Sequence, residues 1–360
     1  MRIIIAGGGT GGHLFPGVAI AEELRARDPS SEVLFVGTAR GIEVRALPKL
    51  GWPLKLIDIS GLKTVGALKA VLGLLKVPRA LWQSVRIVRA FRPDAVVGVG
   101  GYASGPLVLA AWLLRIPTAI LEHNSVPGLA NKLLGRVVRA VFCTFDETRR
   151  FFRPDRIVMT GTPIRLQLRE RLLAQEKLAA GGPLRVFCFG GSLGARAVNS
   201  IMVDSAIELA RTGVAFSLVH QTGKEERDLI AERYRDAGLA AVDVRDFIDD
   251  MAAEYGRADL VIARAGASTV AELSAVGRPA ILIPYPFAAD DHQTVNAREL
   301  ERAGAALVFA QAQLDGKKLA VVIRELKEDP GRLGLMQSAM KSLGRSDAAA
   351  TIVDWLFRQR

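Results

Sequence analysis

The sequence predicts an α/β protein in which two doubly wound parallel sheets follow one another along the chain. Three observations carry this expectation. Short β-branched or apolar runs alternate with longer stretches of helical periodicity. Glycine-rich loops stand where a run gives way to a helix. The alternation, once complete, restarts after a turn-rich break near residue 162. At roughly 100–200 residues per domain, a chain of 360 residues suits two or three domains. With 50% of its residues apolar and 24% charged, the chain can bury a sizeable core, which excludes a disordered or fibrous protein.

The first set of runs is Arg2–Ala6, Val33–Gly37, Ala95–Val99, Thr118–Leu121 and Val141–Thr144. Each is too apolar for a one-sided strand, so each reads as a strand covered on both faces. Between the first two, Val18, Ala21, Leu24 and Arg25 repeat at helical spacing until Asp28-Pro29 stops the helix. That is the β-α-β unit of a Rossmann-like sheet. Thr160-Gly161-Thr162-Pro163 and Ala180-Gly181-Gly182-Pro183 then bracket a charged helix expected over Arg165–Ala179. The second set is Leu184–Phe189, Ala215–His220, Val242–Val244, Leu260–Ala263 and Ala280–Ile283. The boundaries expected are 1–161 and 162–342, with a closing helical segment 343–360 whose packing partner the sequence leaves open; it could return to the first domain. A cleft between two such domains is the default place for a small-molecule site.

Charge is uneven. The net +11 is carried entirely by residues 1–160, since the remainder has equal numbers of acids and bases. From Ile59 to Pro93 there is no acid, while Lys63, Lys69, Lys76, Arg79, Arg86, Arg89 and Arg92 are all basic. Such asymmetry points to an anionic surface. Nucleic acid is the less suited partner, because the basic stretch is interleaved with Leu and Val instead of stacking aromatics. Cys143 and Cys188 lie far apart and the four histidines form no ligand spacing, so no metal and no disulfide are expected. No run approaches the ~20 apolar residues that span a bilayer, and the N-terminal apolar stretch is too short for a secretory signal.

Three loops carry the chemistry of the first reading: Gly7–His13, Gly98–Tyr102 and Gly190–Arg196. Glycines there let backbone amides approach a ligand, and the helix that follows adds N–H donors and a partial positive charge that favour phosphate. A tight turn alone would also use glycine. Gly7-x-Gly9-x-x-Gly12 fits a dinucleotide fingerprint, yet Val36–Arg40 offers no carboxylate for a ribose. Arg40 could meet a 2′-phosphate, which keeps an NADP-dependent oxidoreductase open. His13 ends the first loop, and an imidazole pKa near ~6.5 suits a general base, or the ring could simply brace the loop backbone.

In the second half, Ala265–Glu272 sets small and hydroxyl residues after a strand, with Glu272 in the first turns of a helix. That carboxylate could accept two ribose hydroxyls or could serve only the helix dipole. Asp290–Asn296 is dense in groups able to bond sugar hydroxyls, and is equally a capped helix start.

Taken together, these stretches resemble the MurG family of peptidoglycan N-acetylglucosaminyltransferases, which have the GT-B fold. The matching segments are Gly8–Gly17, Gly98–Pro106, Glu122-His123-Asn124, Gly161–Arg165, Gly190–Arg196, Phe247–Met251, Ala265–Glu272 and Asp291–Asn296, in order across nearly the whole chain. The resemblance implies an inverting, metal- and cofactor-free transfer from UDP-GlcNAc to the 4-hydroxyl of MurNAc in undecaprenyl-linked lipid I, giving lipid II. It implies Arg165 and Ser192 at the donor diphosphate, the Ile248 backbone at the uracil, and Glu272 at the ribose. Ala267, Ser268, Thr269, Val270 and Ala271 would line the same loop, and Gln293 and Asn296 would meet the GlcNAc. Thr10, Gly11, Gly12 and Asn124 would contact UDP-GlcNAc at the reacting centre, beside His13, and Tyr102, Glu122 and His123 would face the acceptor. One departure is plain. Where the family usually has His-Glu-Gln-Asn this chain has Leu121-Glu122-His123-Asn124, so the role of that histidine does not transfer to Leu121.

A lipid acceptor also fits the charge asymmetry. Leu68, Val71, Leu72 and Leu75 form a helical stripe beside Lys69, Lys76, Arg79 and Trp82. A leucine stripe with a basic flank fits a helix lying on an anionic leaflet, and it also fits an ordinary core-facing helix. The expected location is therefore the cytoplasmic face of a bacterial membrane, held peripherally. Another UDP-sugar enzyme, such as a UDP-GlcNAc 2-epimerase, would share the architecture but leave this basic segment unexplained.

Overall fold

The computed structural model describes residues 1–59, 67–164, 182–191, 193–288, 291–345 and 347–359, with the backbone alone over 67–76. The chain divides into two compact units, Met1–Leu166 with Arg345–Arg360, and Gln167–Gly344.

The first unit is built on a parallel sheet of order β3-β2-β1-β4-β5-β6-β7. Its strands are β1 (Arg2–Gly7), β2 (Glu32–Gly37), β3 (Leu54–Leu56), β4 (Ala95–Gly100), β5 (Thr118–Glu122), β6 (Ala140–Cys143) and β7 (Ile157–Met159). Between them run α1 (Gly11–Arg27), α2 (Glu43–Lys49), α3 (Ala67–Phe91), α4 (Ser104–Leu113) and α5 (Leu129–Leu134). The unbroken apolar character of β1 has its cause here. Ile3 and Ile5 enter one core beneath α1, and Ile4 and Ala6 enter the other with Leu107 and Val108 of α4. Both faces of the strand are dry, so period-2 alternation disappears.

The second unit repeats the plan with order β10-β9-β8-β11-β12-β13, all parallel. The strands are β8 (Leu184–Phe189), β9 (Phe216–Gln221), β10 (Asp243–Arg245), β11 (Leu260–Ala263), β12 (Ala280–Leu282) and β13 (Ala306–Val308). The helices are α6 (Arg196–Arg211), α7 (Arg227–Asp236), α8 (Met251–Arg257), α9 (Ala267–Val276), α10 (His292–Arg302), α11 (Gly316–Glu328) and α12 (Pro330–Leu343). A last helix, α13 (Ala348–Phe357), lies with the first unit: Ile352, Val353 and Leu356 join the core under α1, and Arg27 pairs with Asp354 at 2.5 Å.

β3, β7 and β13 are three-residue strands that the apolar-run reading passed over. The helix expected over Arg165–Ala179 lies outside the described residues. In both sheets the strand order reverses about the first strand of the unit, β1 beside β4 and β8 beside β11. At such a switch point two loops leave in opposite directions and open a crevice at the carboxyl ends.

Candidate functional site

In the first unit the switch point gathers the loops after β1, β4 and β5. Gly8 donates its N–H to the Gly100 carbonyl at 3.3 Å, tying the first loop to the second. Thr10, exposed at the N-cap of α1, places its hydroxyl 3.1 Å from His13 Nδ1. Gly11 and Gly12 form the start of that helix, half-buried beside His13. The His13 ring lies directly over Gly100, whose φ of +98° puts the missing side chain where the imidazole now sits. His13 also meets His123 edge to face, with ring centroids 4.9 Å apart. Tyr102 follows on the β4 loop and is half exposed. The structure therefore brings His13, Tyr102 and the Glu122–Asn124 segment to one end of one sheet.

Glu122 closes β5 as a buried carboxylate. It accepts from the Asn124 backbone N–H at 3.0 Å, from Asn124 Nδ2 at 3.2 Å and from Asn131 Nδ2 at 2.9 Å. Burial raises its pKa, partly offset by those donors. Its role in the fold is to hold Asn124 and the loop after β5. Leu121, where the family's histidine would stand, is fully buried in the core, while His123 is the imidazole that reaches His13. The sequence did not reveal Asn131, which acts nine residues away with no motif around it.

One feature of this end separates it from a dinucleotide site. The Glu43 carboxylate, fully buried, accepts from the Gly9 N–H at 2.7 Å and the Thr38 N–H at 2.9 Å. It bridges the loops that follow β1 and β2, the place where a dinucleotide-binding fold keeps a carboxylate free for ribose hydroxyls, and both of its oxygens are taken by backbone N–H groups. The expectation of no carboxylate near Val36–Arg40 thus holds for the sequence window and fails in space.

In the second unit the corresponding loops follow β8, β9, β11 and β12. Gly194, at φ +77°, and Gly223, at φ +82°, let the β8 and β9 loops touch backbone to backbone; a Cβ on Gly223 would lie 2.8 Å from Gly194 N. Gln221 knits the same pair, donating to the Gly191 carbonyl at 3.0 Å and accepting the Ile248 N–H at 2.8 Å. The Ile248 N–H is thus already engaged, and a base that reaches this backbone meets the Ile248 carbonyl or displaces Gln221. Beneath the loop, buried His220 bonds Tyr234 at 2.9 Å and Asn199 at 3.2 Å, and burial lowers its pKa to about 3. Arg165 and Ser192 lie outside the described residues.

Ala267–Ala271 form the first turns of α9, with Ser268, Thr269 and Ala271 half-buried and Ala267 and Val270 in the core. Glu272 follows, half-buried, and accepts from the Tyr255 hydroxyl at 2.9 Å. Burial and that carboxylate push the Tyr255 pKa well up, so the phenol stays a donor. Gln293, in the first turn of α10, accepts the Tyr285 N–H at 3.0 Å. Asn296 is fully buried and donates to the Ala265 carbonyl at 3.5 Å, so here it braces the β11–α9 loop. Arg264 joins the β11 and β12 ends, donating to the carbonyls of Ile283 and Pro284 at 3.0 Å each and to Gln311 at 2.6 Å. Among the described residues, no group of three or more His, Cys, Asp or Glu could hold a metal ion.

On α3, Trp82 is 58% exposed with the Arg86 guanidinium over its ring, and Arg79 lies 3.7 Å from Asp58. The side chains of Lys69, Leu72, Leu75 and Lys76 lie outside the described residues. Trp112, Leu113, Leu129 and Leu133 are further exposed apolar residues of this unit. No helix among the described residues is long and apolar enough to cross a membrane.

Comparison with known proteins finds two family matches. Residues 3–143 match the glycosyltransferase family 28 N-terminal domain and residues 185–352 the glycosyltransferase family 28 C-terminal domain. A relative from Myxococcus xanthus (strain DK1622) is named UDP-N-acetylglucosamine–N-acetylmuramyl-(pentapeptide) pyrophosphoryl-undecaprenol N-acetylglucosamine transferase. It is 50% identical over 98% of this chain and 92% of its own. A relative of the same name from Syntrophus aciditrophicus (strain SB) is 49% identical over 98% and 97%. Among solved structures, MurG of Acinetobacter baumannii matches with a TM-score of 0.80 at 33% identity, over 99% of both chains. The UDP-GlcNAc 2-epimerase of Neisseria meningitidis, bound to UDP-GlcNAc, matches at a TM-score of 0.70 and 14% identity, covering 99% of this chain and 100% of that one. That last likeness is one of fold.

Proposed function

The chain belongs to the MurG family within glycosyltransferase family 28, and from that membership we propose that it moves GlcNAc from UDP-GlcNAc to the 4-hydroxyl of MurNAc in undecaprenyl-linked lipid I, forming lipid II and UDP. The observation that carries this reading is whole-length similarity to transferases of this one name, covering both units. A likeness confined to one Rossmann-like half would have argued for a nucleotide site and no more.

The first unit supplies the acceptor chemistry. The hydroxyl oxygen attacks the anomeric carbon, the bond from that carbon to the diphosphate oxygen breaks with inversion, and the hydroxyl proton passes to His13. Because Thr10 Oγ1 engages Nδ1, the proton is assigned to Nε2, the nitrogen on the Gly100 side of the ring. Glu122 shapes the loop that offers Asn124 and His123 beside it. Tyr102, half exposed on the neighbouring loop, faces the acceptor.

The second unit supplies donor binding. Glu272, oriented by Tyr255, takes the ribose hydroxyls, and Ile248 meets the uracil. The Gly190–Gly194 backbone and the α6 N-terminus, with Ser192, stabilise the departing UDP as charge develops on it, joined by Arg165 from the end of the first unit. Ala267–Ala271 line the ribose, and Gln293 contacts the sugar, with Asn296 behind it. The exposed Trp82 and the basic flank of α3 dock the protein on an anionic leaflet, at the cytoplasmic face where a nucleotide sugar is available.

The test is metal-free turnover of UDP-GlcNAc with a lipid I analogue, beside calorimetry with UDP-GlcNAc, UDP-glucose and NADPH. Transfer, with selective UDP-GlcNAc binding and no NADPH binding, is the expected result. NADPH binding without a UDP-sugar signal would overturn the reading. Consumption of UDP-GlcNAc without any acceptor would point to the epimerase reaction instead.

A further inference from the structure

Glu43 is the most enclosed carboxylate near the proposed acceptor site, and no motif singles it out. It stands at the start of α2, 34 residues from the loop that it touches. Both oxygens are engaged. Oε2 accepts the Gly9 N–H at 2.7 Å, and Oε1 accepts the Thr38 N–H at 2.9 Å and the Thr38 hydroxyl at 3.2 Å. The backbone is shaped around this group. A Cβ on Gly8 would lie 2.6 Å from Oε1, one on Gly37 2.6 Å from Cγ, and one on Gly41 inside the carboxylate itself. Three residues without side chains therefore enclose one side chain, and any Cβ there would evict it.

The peptide that Glu43 holds leads directly to the reacting groups. Gly9 precedes Thr10, whose carbonyl accepts the N–H groups of His13 at 3.3 Å and Leu14 at 3.1 Å, and whose hydroxyl bonds His13 Nδ1. Gly9 and Thr10 are exposed, so burial does little to fix them. The buried carboxylate supplies a fixed point on the β2 side of the loop, and the Gly8 to Gly100 hydrogen bond supplies the other. We propose that Glu43 is a positioning residue for the transfer: it sets the Gly7–His13 loop so that Thr10 holds the His13 imidazole over Gly100. The inference rests on the transferase reading for its effect on rate, and on geometry alone for its effect on the loop.

Glu43→Gln is the informative variant. Both oxygens face N–H donors, so in either orientation the amide turns its own N–H groups toward a donor and one bond is lost. In the full chain, with UDP-GlcNAc and a lipid I analogue, kcat should fall roughly 10- to 100-fold, the scale of an ångström-sized displacement of a catalytic group. Donor affinity by calorimetry should change little, because the proposed ribose and uracil contacts lie in the other unit. Four histidines make the imidazole NMR signals assignable. Those of His13 and His123 should move in Glu43→Gln, while those of His220 and His292 stay. Wild-type kcat with an unmoved His13 signal would overturn the proposal. Loss of donor affinity together with movement of all four signals marks general unfolding, and the second variant then decides. Should Glu43→Gln not fold, Thr38→Val removes one donor from the same carboxylate; a smaller fall in kcat with a shifted His13 signal is then expected, and no change in either overturns the idea. If the wild type transfers no GlcNAc, the functional reading fails, and the His13 signal still decides whether Glu43 sets the loop.

Discussion

Replacing Gly100 by alanine tests the role given to His13 more directly than removing the imidazole, because it leaves every functional group in place. A Cβ at this position would press into the ring at Cδ2 and lie 3.0 Å from Nε2 and 3.3 Å from Cγ. To restore ordinary van der Waals contact the imidazole must retreat by roughly 1 Å, and a displacement of that size costs on the order of 100-fold in a proton-transfer step. The φ of +98° adds strain, about 1–2 kcal/mol for a residue with a side chain, which the loop can relieve only by shifting further. The expected outcome is a kcat lowered by about two orders of magnitude with unchanged UDP-GlcNAc affinity. The assay is steady-state transfer to a lipid I analogue, with calorimetry on the same preparation and thermal unfolding to establish that the variant is folded. A Gly100→Ala protein that is folded, binds donor and turns over at the wild-type rate would show that the placement of His13 does not matter to the chemistry.

Three further outcomes are expected. Glu272→Ala should weaken UDP-GlcNAc by about 1.5–3 kcal/mol, the range for hydrogen bonds to a charged group, and Tyr255→Phe by less, since it removes only the donor that orients the carboxylate; unchanged affinity in Glu272→Ala would remove Glu272 from the site. Stability should fall with acid because of His220. Its folded pKa of about 3 lies below the unfolded value near ~6.5, so the neutral ring stabilises the fold above that value and the contribution is lost as pH drops toward 3. At about pH 5 the loss is about 2 kcal/mol by linkage; denaturant unfolding should show it, and a His220→Gln variant with the same pH slope would assign the effect elsewhere. Reversing Lys69, Lys76 and Arg79 to Glu should release the protein from vesicles containing anionic lipid without changing calorimetric UDP binding, whereas retained sedimentation would move the docking surface away from α3.

The chain order of elements was largely written in local sequence. Leu184–Phe189 and Leu260–Ala263 are strands over the stretches that their apolar runs mark, because a strand buried on both faces needs an unbroken run. Glycine loops after β1, β4 and β8 were likewise legible, and they lie at the carboxyl ends of both sheets, where close backbone approach favours glycine. β3 was not legible: Leu54-Lys55-Leu56 is an edge strand with one neighbour, and two of its three residues are exposed, so nothing in its composition demands a sheet. The supports of the site were hidden for a different reason. Glu43 meets Gly9 across 34 residues, Gln221 meets Ile248 across 27 and Tyr255 meets Glu272 across 17. In each case an unremarkable side chain becomes specific only when the parallel sheet brings distant segments of the chain to one end. The sequence by itself determined the longer buried strands and the glycine loops that follow them. Tertiary structure alone decided which buried side chains hold those loops still, and that α13 packs under α1, because those partners are set by sheet order and no local pattern encodes it.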